Sequence, residues 1–192
     1  MNLHFPAALK FCWGVLLLYW IVSARGAKSP IRTESLARRL VFYWLPLAAA
    51  VYLLGPGRWL GHGVLRDHFL PHSILVESIG LSIVVVGTSV ACYARYVLGA
   101  NWSSVVELKS DHELIQRGPY RVIRHPIYSG LLLMFFGTAV MIGDWRGFLA
   151  VAIVFVSFWR KLLVEERWLG QHFGSKFFDY ARHTKALFPG IL

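Results

Sequence analysis

Acidic residues are scarce in this 192-residue chain: ten Asp and Glu stand against 20 Lys and Arg, and the four types together make up only 16%. An ordinary soluble domain carries about a quarter of its residues charged, so this composition argues against one. Cysteine is rarer still, with Cys12 and Cys92 far apart inside apolar runs. That spacing excludes a disulfide framework or a thiolate metal site and leaves two buried free thiols. No G-x-G-x-x-G occurs, so the glycine fingerprint of a Rossmann nucleotide site is absent too. There is also no internal repeat, low-complexity tract or second soluble domain. The net charge of +10 would suit nucleic acid only if the cations were gathered on one water-facing surface. They are divided among short loops, and no nucleic-acid partner is expected.

What the chain does have is apolar length, with 56% hydrophobic residues and a mean hydropathy of +0.52. A bilayer core about 30 Å thick takes about 20 helical residues per crossing. Five runs approach that length, at about 5–24, 40–54, 74–98, 127–142 and 148–163. The expected fold is all-α: a single polytopic membrane bundle of five helices over residues 1–192. The first run could be a cleavable signal, but Trp13, Tyr19 and Trp20 suit a retained helix better. The second contains Pro46, whose freed carbonyl a neighbouring helix can satisfy. In the third, Glu77 and Arg95 lie near the ends and can snorkel toward water. Only residues 143–147 separate the last two runs, which predicts a tight antiparallel hairpin. Gly80, Gly87, Gly130 and Gly137 suit close helix contacts. Tyr43, Trp44, Trp59 and Trp145 suit an interfacial aromatic belt. An amphipathic helix is expected before Pro189.

Five crossings put 16 of the 20 Lys and Arg on one face, leaving only Lys10, Arg58, Arg66 and Arg146 on the other. The positive-inside rule then places the N-terminus outside and the C-terminus in the cytoplasm. On the outer face, His68 and His72 with His62 and Asp67 nearby are better read as loop residues than as a metal site, since no second ligand cluster accompanies them. No metal is expected.

On the cytoplasmic face lies the best clue to function, residues 112–128, a short run with two histidines, three arginines and two tyrosines between strongly apolar stretches. Pro126 suits the first turn of the fourth helix and bends the chain at Arg124 and His125. Amide groups and the dipole at that helix start favour an anion such as a carboxylate, with Tyr128 one turn further in. The tight hairpin returns the end of the fifth helix close to this bend, so His125 and Glu165 can be neighbours. Glu165 and Glu166 could hold a ligand ammonium or ribose hydroxyls, or simply pair with Arg160, Lys161 or Arg167 as helix-end ions.

The pattern His112-x-Leu114-Ile115-x-x-Gly118-x-Tyr120-x-x-x-Arg124-His125-Pro126-x-Tyr128, then Glu165-Glu166, Phe173-Gly174 and Tyr180, resembles the isoprenylcysteine carboxyl methyltransferase family, particularly its short prokaryotic membrane members. Asn101-Trp102-Ser103, Glu107 and Leu187-Phe188-Pro189 extend the resemblance over residues 99–190. It implies S-adenosyl-L-methionine bound on the cytoplasmic side without a Rossmann sheet, within about residues 99–192. His112, Leu114, Ile115, Tyr120, Arg124, His125, Pro126, Ile127, Tyr128, Glu165 and Glu166 would form the cofactor site. Lys161 or Arg160 would hold the acceptor. Many family members carry an arginine where this chain has Lys161, and a lysine lacks the bidentate fork of a guanidinium.

A small lipophilic acceptor drawn from the membrane lipid phase is implied, with a prenylcysteine-like carboxylate favoured. An ionised carboxylate needs no base, so positioning and desolvation would be the main contributions. An amine, phenol or thiol would need one, and His125 or Glu166 would be candidates. Two alternatives remain at this stage. One is a sterol-reductase-type membrane enzyme using NADPH, against which the small helix count argues. The other is a non-catalytic transport subunit, which would place polar residues near the bilayer midplane.

Overall fold

The computed structural model describes residues 4–25, 28, 30–55, 63–103, 105–109 and 113–190. A chain in lipid must satisfy its own backbone, and each apolar run does so as a helix. These are α1 (His4–Ala24), α2 (Leu36–Leu54), α3 (Ile74–Leu98), α4 (Pro126–Ile142) and α5 (Trp145–Phe173), followed by a short amphipathic α6 (Ser175–His183). Four are long and apolar enough to cross a membrane. The 17-residue α4 is shorter, about 26 Å at 1.5 Å per residue, and is the most enclosed.

Glycines explain how α4 is enclosed. Lipid gives helices no hydrophobic reason to associate, so close backbone approach and dispersion must hold them together. A Cβ on Gly87 would lie 2.6 Å from the Gly130 carbonyl oxygen, and one on Gly137 would lie 2.5 Å from that of Gly80. The two pairs form an antiparallel seam between α3 and α4. On another side of α4, Trp13 of α1 donates to the Thr138 hydroxyl at 3.4 Å and meets Phe135 edge-on. The connection from α4 to α5 is only Gly143 and Asp144, with Gly143 at φ +71°, where a side chain would be strained.

Pro46 behaves as its chemistry requires. Its missing N–H leaves the Phe42 carbonyl without a helical donor, and Ser157 of α5 supplies one at 2.6 Å. The preceding turn, Leu40–Trp44, is π-helical, a form often found where a helix serves a site.

Several expectations need correction. The second helix starts at Leu36, and the fifth continues ten residues beyond 163 to Phe173, so Glu165 and Glu166 lie within it. It continues because one face still finds partners there: Trp168 is buried with Tyr43 and Val106. Arg95 and Glu77 do not reach water. Arg95 is buried, donating to the carbonyls of Ser23 at 2.7 Å and Gly99 at 2.8 Å and stacking on Trp102. Glu77 is also buried. Tyr43 is buried rather than part of an aromatic belt, and Trp59 and Arg58 lie outside the described residues.

The two ends of the bundle are stapled differently. At one, Arg146 bonds to Asp144 at 2.6 Å and donates to the carbonyls of Leu53 and Gly55. The rings of His68 and His72 touch at 4.6 Å there, and His62 is outside the described residues. No group of three His, Cys, Asp or Glu able to hold a metal occurs among the described residues. At the other end, a small antiparallel ribbon, β1 (Pro30–Thr33) with β2 (Glu107–Lys109), ties the first loop to the segment after α3. The tail returns there as well: Ile123 pairs in parallel with Lys185, and the amides of Arg124 and His125 donate to the Lys185 and Ala186 carbonyls.

Candidate functional site

The ribbon, the start of α4, the second half of α5 and α6 surround a cleft at this end, with about 790 Å³ of space including its open mouth. Its walls divide by chemistry. Leu98, Trp102, Leu114, Ile115, Ile127 and Leu169 form an apolar slot, while Arg124, His125, Tyr128 and Glu165 form a polar end.

The polar end is built on the bend at Pro126. His125 is buried, and its ring stacks on Tyr128 with centroids 5.4 Å apart and planes 9° from parallel. The two glutamates one turn beyond Lys161 have separate duties. Glu166 receives Arg124 Nε at 2.7 Å and lies 3.1 Å from His125 Nε2, so it is engaged inside the protein. A carboxylate can only accept, so His125 carries its proton on Nε2 in this contact. Glu165 accepts from the Tyr128 hydroxyl at 2.8 Å, stands 3.9 Å from His125 Nδ1, and lines the cleft with 34% of its side chain exposed. Glu166 does not line it.

Arg124 is similarly occupied, since it also donates to the carbonyls of Ala181 and Thr184 and so fastens α6 and the tail to the bend. The expected anion at the start of α4 meets competition. Two of the amides at that bend are taken by the tail.

The remaining expected residues are placed as follows. Leu114, Ile115 and Ile127 line the slot. Pro126 is buried behind the wall rather than in it. Tyr120 lines the cleft, donates to the Ala94 carbonyl at 3.4 Å, and has its phenol pushed up by burial and by the Glu165 charge. His112 lies outside the described residues. Lys161 is buried behind Tyr128, its ammonium 5.2 Å from that ring and 5.4 Å from the ring of Tyr43. Arg160 points to different partners, the Tyr43 hydroxyl at 2.9 Å and Glu34 at 3.2 Å. In sequence Tyr43 suited only the aromatic belt and Glu34 had no role, although a lone acid in a basic loop was the available signal. Asn101, Trp102, Ser103, Glu107 and Tyr180 carried the resemblance without a stated role, and all five line the cleft. Ser103 donates to Glu107 at 2.7 Å.

Against known proteins, the family model described as phospholipid methyltransferase matches residues 76–176, more than half of the chain and most of the cleft. The chain belongs to the phospholipid methyltransferase family. The chain is also 28% identical over 119 residues to protein-S-isoprenylcysteine O-methyltransferase B of Arabidopsis thaliana. That match covers 60% of this chain and 60% of the relative. It is 26% identical to protein-S-isoprenylcysteine O-methyltransferase of Schizosaccharomyces pombe, over 91% of this chain and 79% of that one. Its fold is similar to the solved structure of the eukaryotic intramembrane Ras methyltransferase ICMT, with a TM-score of 0.60 and 23% identity over 78% of this chain and 52% of the other. The chain is thus an integral membrane helix bundle, and it spans about three fifths of the length of the plant relative.

Proposed function

We propose that this protein is an S-adenosyl-L-methionine-dependent methyltransferase acting on the carboxylate of a small lipophilic, prenylcysteine-like acceptor. The single observation carrying the reading is the cleft itself. An unshared edge of Glu165, fixed by Tyr128, faces an apolar slot, and the buried cation Lys161 lies directly behind the Tyr128 ring. The names of the relatives support the acceptor class.

The residues present fit such a cofactor. Its flat base would suit the slot of Leu114, Ile115 and Trp102, and its cationic groups would suit Glu165, which keeps accepting capacity after its bond from Tyr128. When bound, the cofactor supplies a methyl group already activated on a sulfonium. The protein's contribution is arrangement: Glu166 and Arg124 lock His125, His125 and Phe158 stack with the Tyr128 ring, and Tyr128 orients Glu165. Lys161 would draw the acceptor carboxylate toward Tyr128. A carboxylate with pKa near 4 is ionised already, so no base is needed. Glu166, committed to Arg124 and His125, is poorly placed to serve as one.

The side of the membrane belongs to the same proposal. The end bearing the cleft carries 16 of the 20 Lys and Arg, which supports a cytoplasmic active site in a cytoplasmic membrane. Radiolabelled methyl transfer from S-adenosylmethionine to N-acetyl-S-farnesylcysteine, with its carboxamide and phosphatidylethanolamine as competitors, tests the reading. Base-labile label in the farnesylcysteine alone is the expected result. Label in the amine lipid with the carboxylate inert would overturn it.

A further inference from the structure

Glu34 and Tyr43 precede the stretch matched by the family, yet both are buried and both are tied to α5. Glu34, 2% exposed at its side chain, accepts from the Tyr43 hydroxyl and from Arg160. Arg160 in turn donates to the Tyr43 oxygen and stacks over Phe42 at 3.9 Å. The two adjacent cations of α5 are thereby sorted. Arg160 is held on the α2 side by Glu34 and Tyr43, while Lys161 has its ammonium over the faces of both Tyr43 and Tyr128.

A lysine in an anion site has a specific weakness, since its four-carbon stem is flexible and its head has no planar fork. The faces of Tyr43 and Tyr128, whose centroids lie 5.4 and 5.2 Å from the ammonium, help to orient it, because each ring face attracts a cation electrostatically. Tyr128 is fixed by His125, Phe158 and Glu165. Tyr43 is fixed by Glu34, Arg160 and the π-helical turn, whose Phe42 carbonyl is pinned by Ser157.

We propose that Tyr43, held by Glu34 and Arg160, is the specificity-determining positioning residue for the acceptor: with Tyr128 it sets the Lys161 ammonium to receive the acceptor's carboxylate. Acceptor choice is then governed from the first third of the chain, and cofactor affinity from the later part. The inference rests on the carboxylate reading above.

The test is equilibrium binding of N-acetyl-S-farnesylcysteine and of its carboxamide to detergent-purified protein at saturating S-adenosylhomocysteine, whose own affinity is measured alongside. The wild type is expected to prefer the carboxylate by about tenfold, Tyr43→Phe, which keeps the ring but loses its bonds to Glu34 and Arg160, to keep an intermediate preference of about fivefold, and Tyr43→Leu to lose it to below about threefold, since only the last removes the ring face. S-adenosylhomocysteine affinity is expected to stay within about twofold in all three. Should Tyr43→Leu not fold, Tyr43→Met takes its place, keeping bulk without a ring. Full preference persisting without the ring overturns the role of Tyr43 alone. So does a loss of carboxylate preference accompanied by an equal loss of cofactor affinity. A wild type that binds S-adenosylhomocysteine but treats both acceptors alike overturns the anion site together with the carboxylate reading.

Discussion

Adjacent glutamates with different partners should fail in different ways, and Glu165→Gln against Glu166→Gln isolates the two duties. Glu166 holds a partly buried pair, with side-chain exposures of 21% for itself, 14% for Arg124 and 5% for His125. Removing one partner of a fully buried pair costs about 3–5 kcal/mol, because the other charge is left without compensation. With a fifth of Glu166 in water, and Gln still able to accept one bond, the cost falls to about 2 kcal/mol. For a chain of this size that lowers Tm by about 4–8 °C. Glu165 is 34% exposed and its bond from Tyr128 is one a Gln oxygen can replace, so its stability cost is below about 1 kcal/mol. Its carboxylate faces the cleft, however, and losing a charged hydrogen bond to a cationic ligand costs about 1.5–3 kcal/mol, or roughly ten- to a hundredfold in Kd. Thermal unfolding in detergent and calorimetry with S-adenosylhomocysteine measure both quantities on both variants. Equal loss of Tm in the two, or weakened binding in Glu166→Gln at unchanged Tm, would refute the division.

Other predictions follow from single contacts. Ser157→Ala leaves the Phe42 carbonyl without its donor and is expected to cost about 1–2 kcal/mol, read as a lower Tm that Ser157→Thr restores. Gly87→Ala puts a methyl 2.6 Å from the Gly130 oxygen and 2.9 Å from Met134, forcing α3 and α4 apart at a cost of about 1–3 kcal/mol. Gly14→Ala, with nothing within 4 Å, is the neutral control in the same Tm assay. Burial, offset in part by the Arg124 charge, pushes the Tyr180 hydroxyl up to about 12, and that hydroxyl donates to the Tyr120 carbonyl at 2.7 Å. A raised folded pKa means the neutral form is favoured on folding. The contribution is therefore complete below about pH 10, the unfolded value, and is lost as pH rises toward 12. A loss between pH 10 and 12 that Tyr180→Phe abolishes, followed by phenolate absorbance, checks the sign.

The helices were legible because lipid leaves the backbone one economical solution and hydropathy reports it directly. The glycine seam and the carbonyl freed by Pro46 were legible for a related reason: both are backbone facts that one residue type announces. What escaped depended on distant partners. Charges at 160–167 looked like the end of a membrane span, but Trp168 still has Tyr43 and Val106 to pack on, so the helix continues. Arg95 looked free to snorkel, yet carbonyls from the end of α1 and the turn after α3 meet it in the interior. Glu34 and Tyr43 were invisible as site residues because Arg160, which gathers them, is more than a hundred positions away. In the candidate site itself, the motif from Leu114 to Tyr128 indicated where a cleft would be. It did not reveal that Glu166 and Arg124 are engaged with each other and with the scaffold while Glu165 faces the cleft.

The central claim is that this cleft takes the methyl donor, and calorimetry of the detergent-purified protein tests it most directly. The account predicts saturable one-to-one binding of S-adenosylhomocysteine, no binding of NADPH, and loss of the signal in His125→Ala with Glu165→Ala at retained folding. Binding of NADPH instead, or S-adenosylhomocysteine binding that the double substitution leaves unchanged, would contradict it.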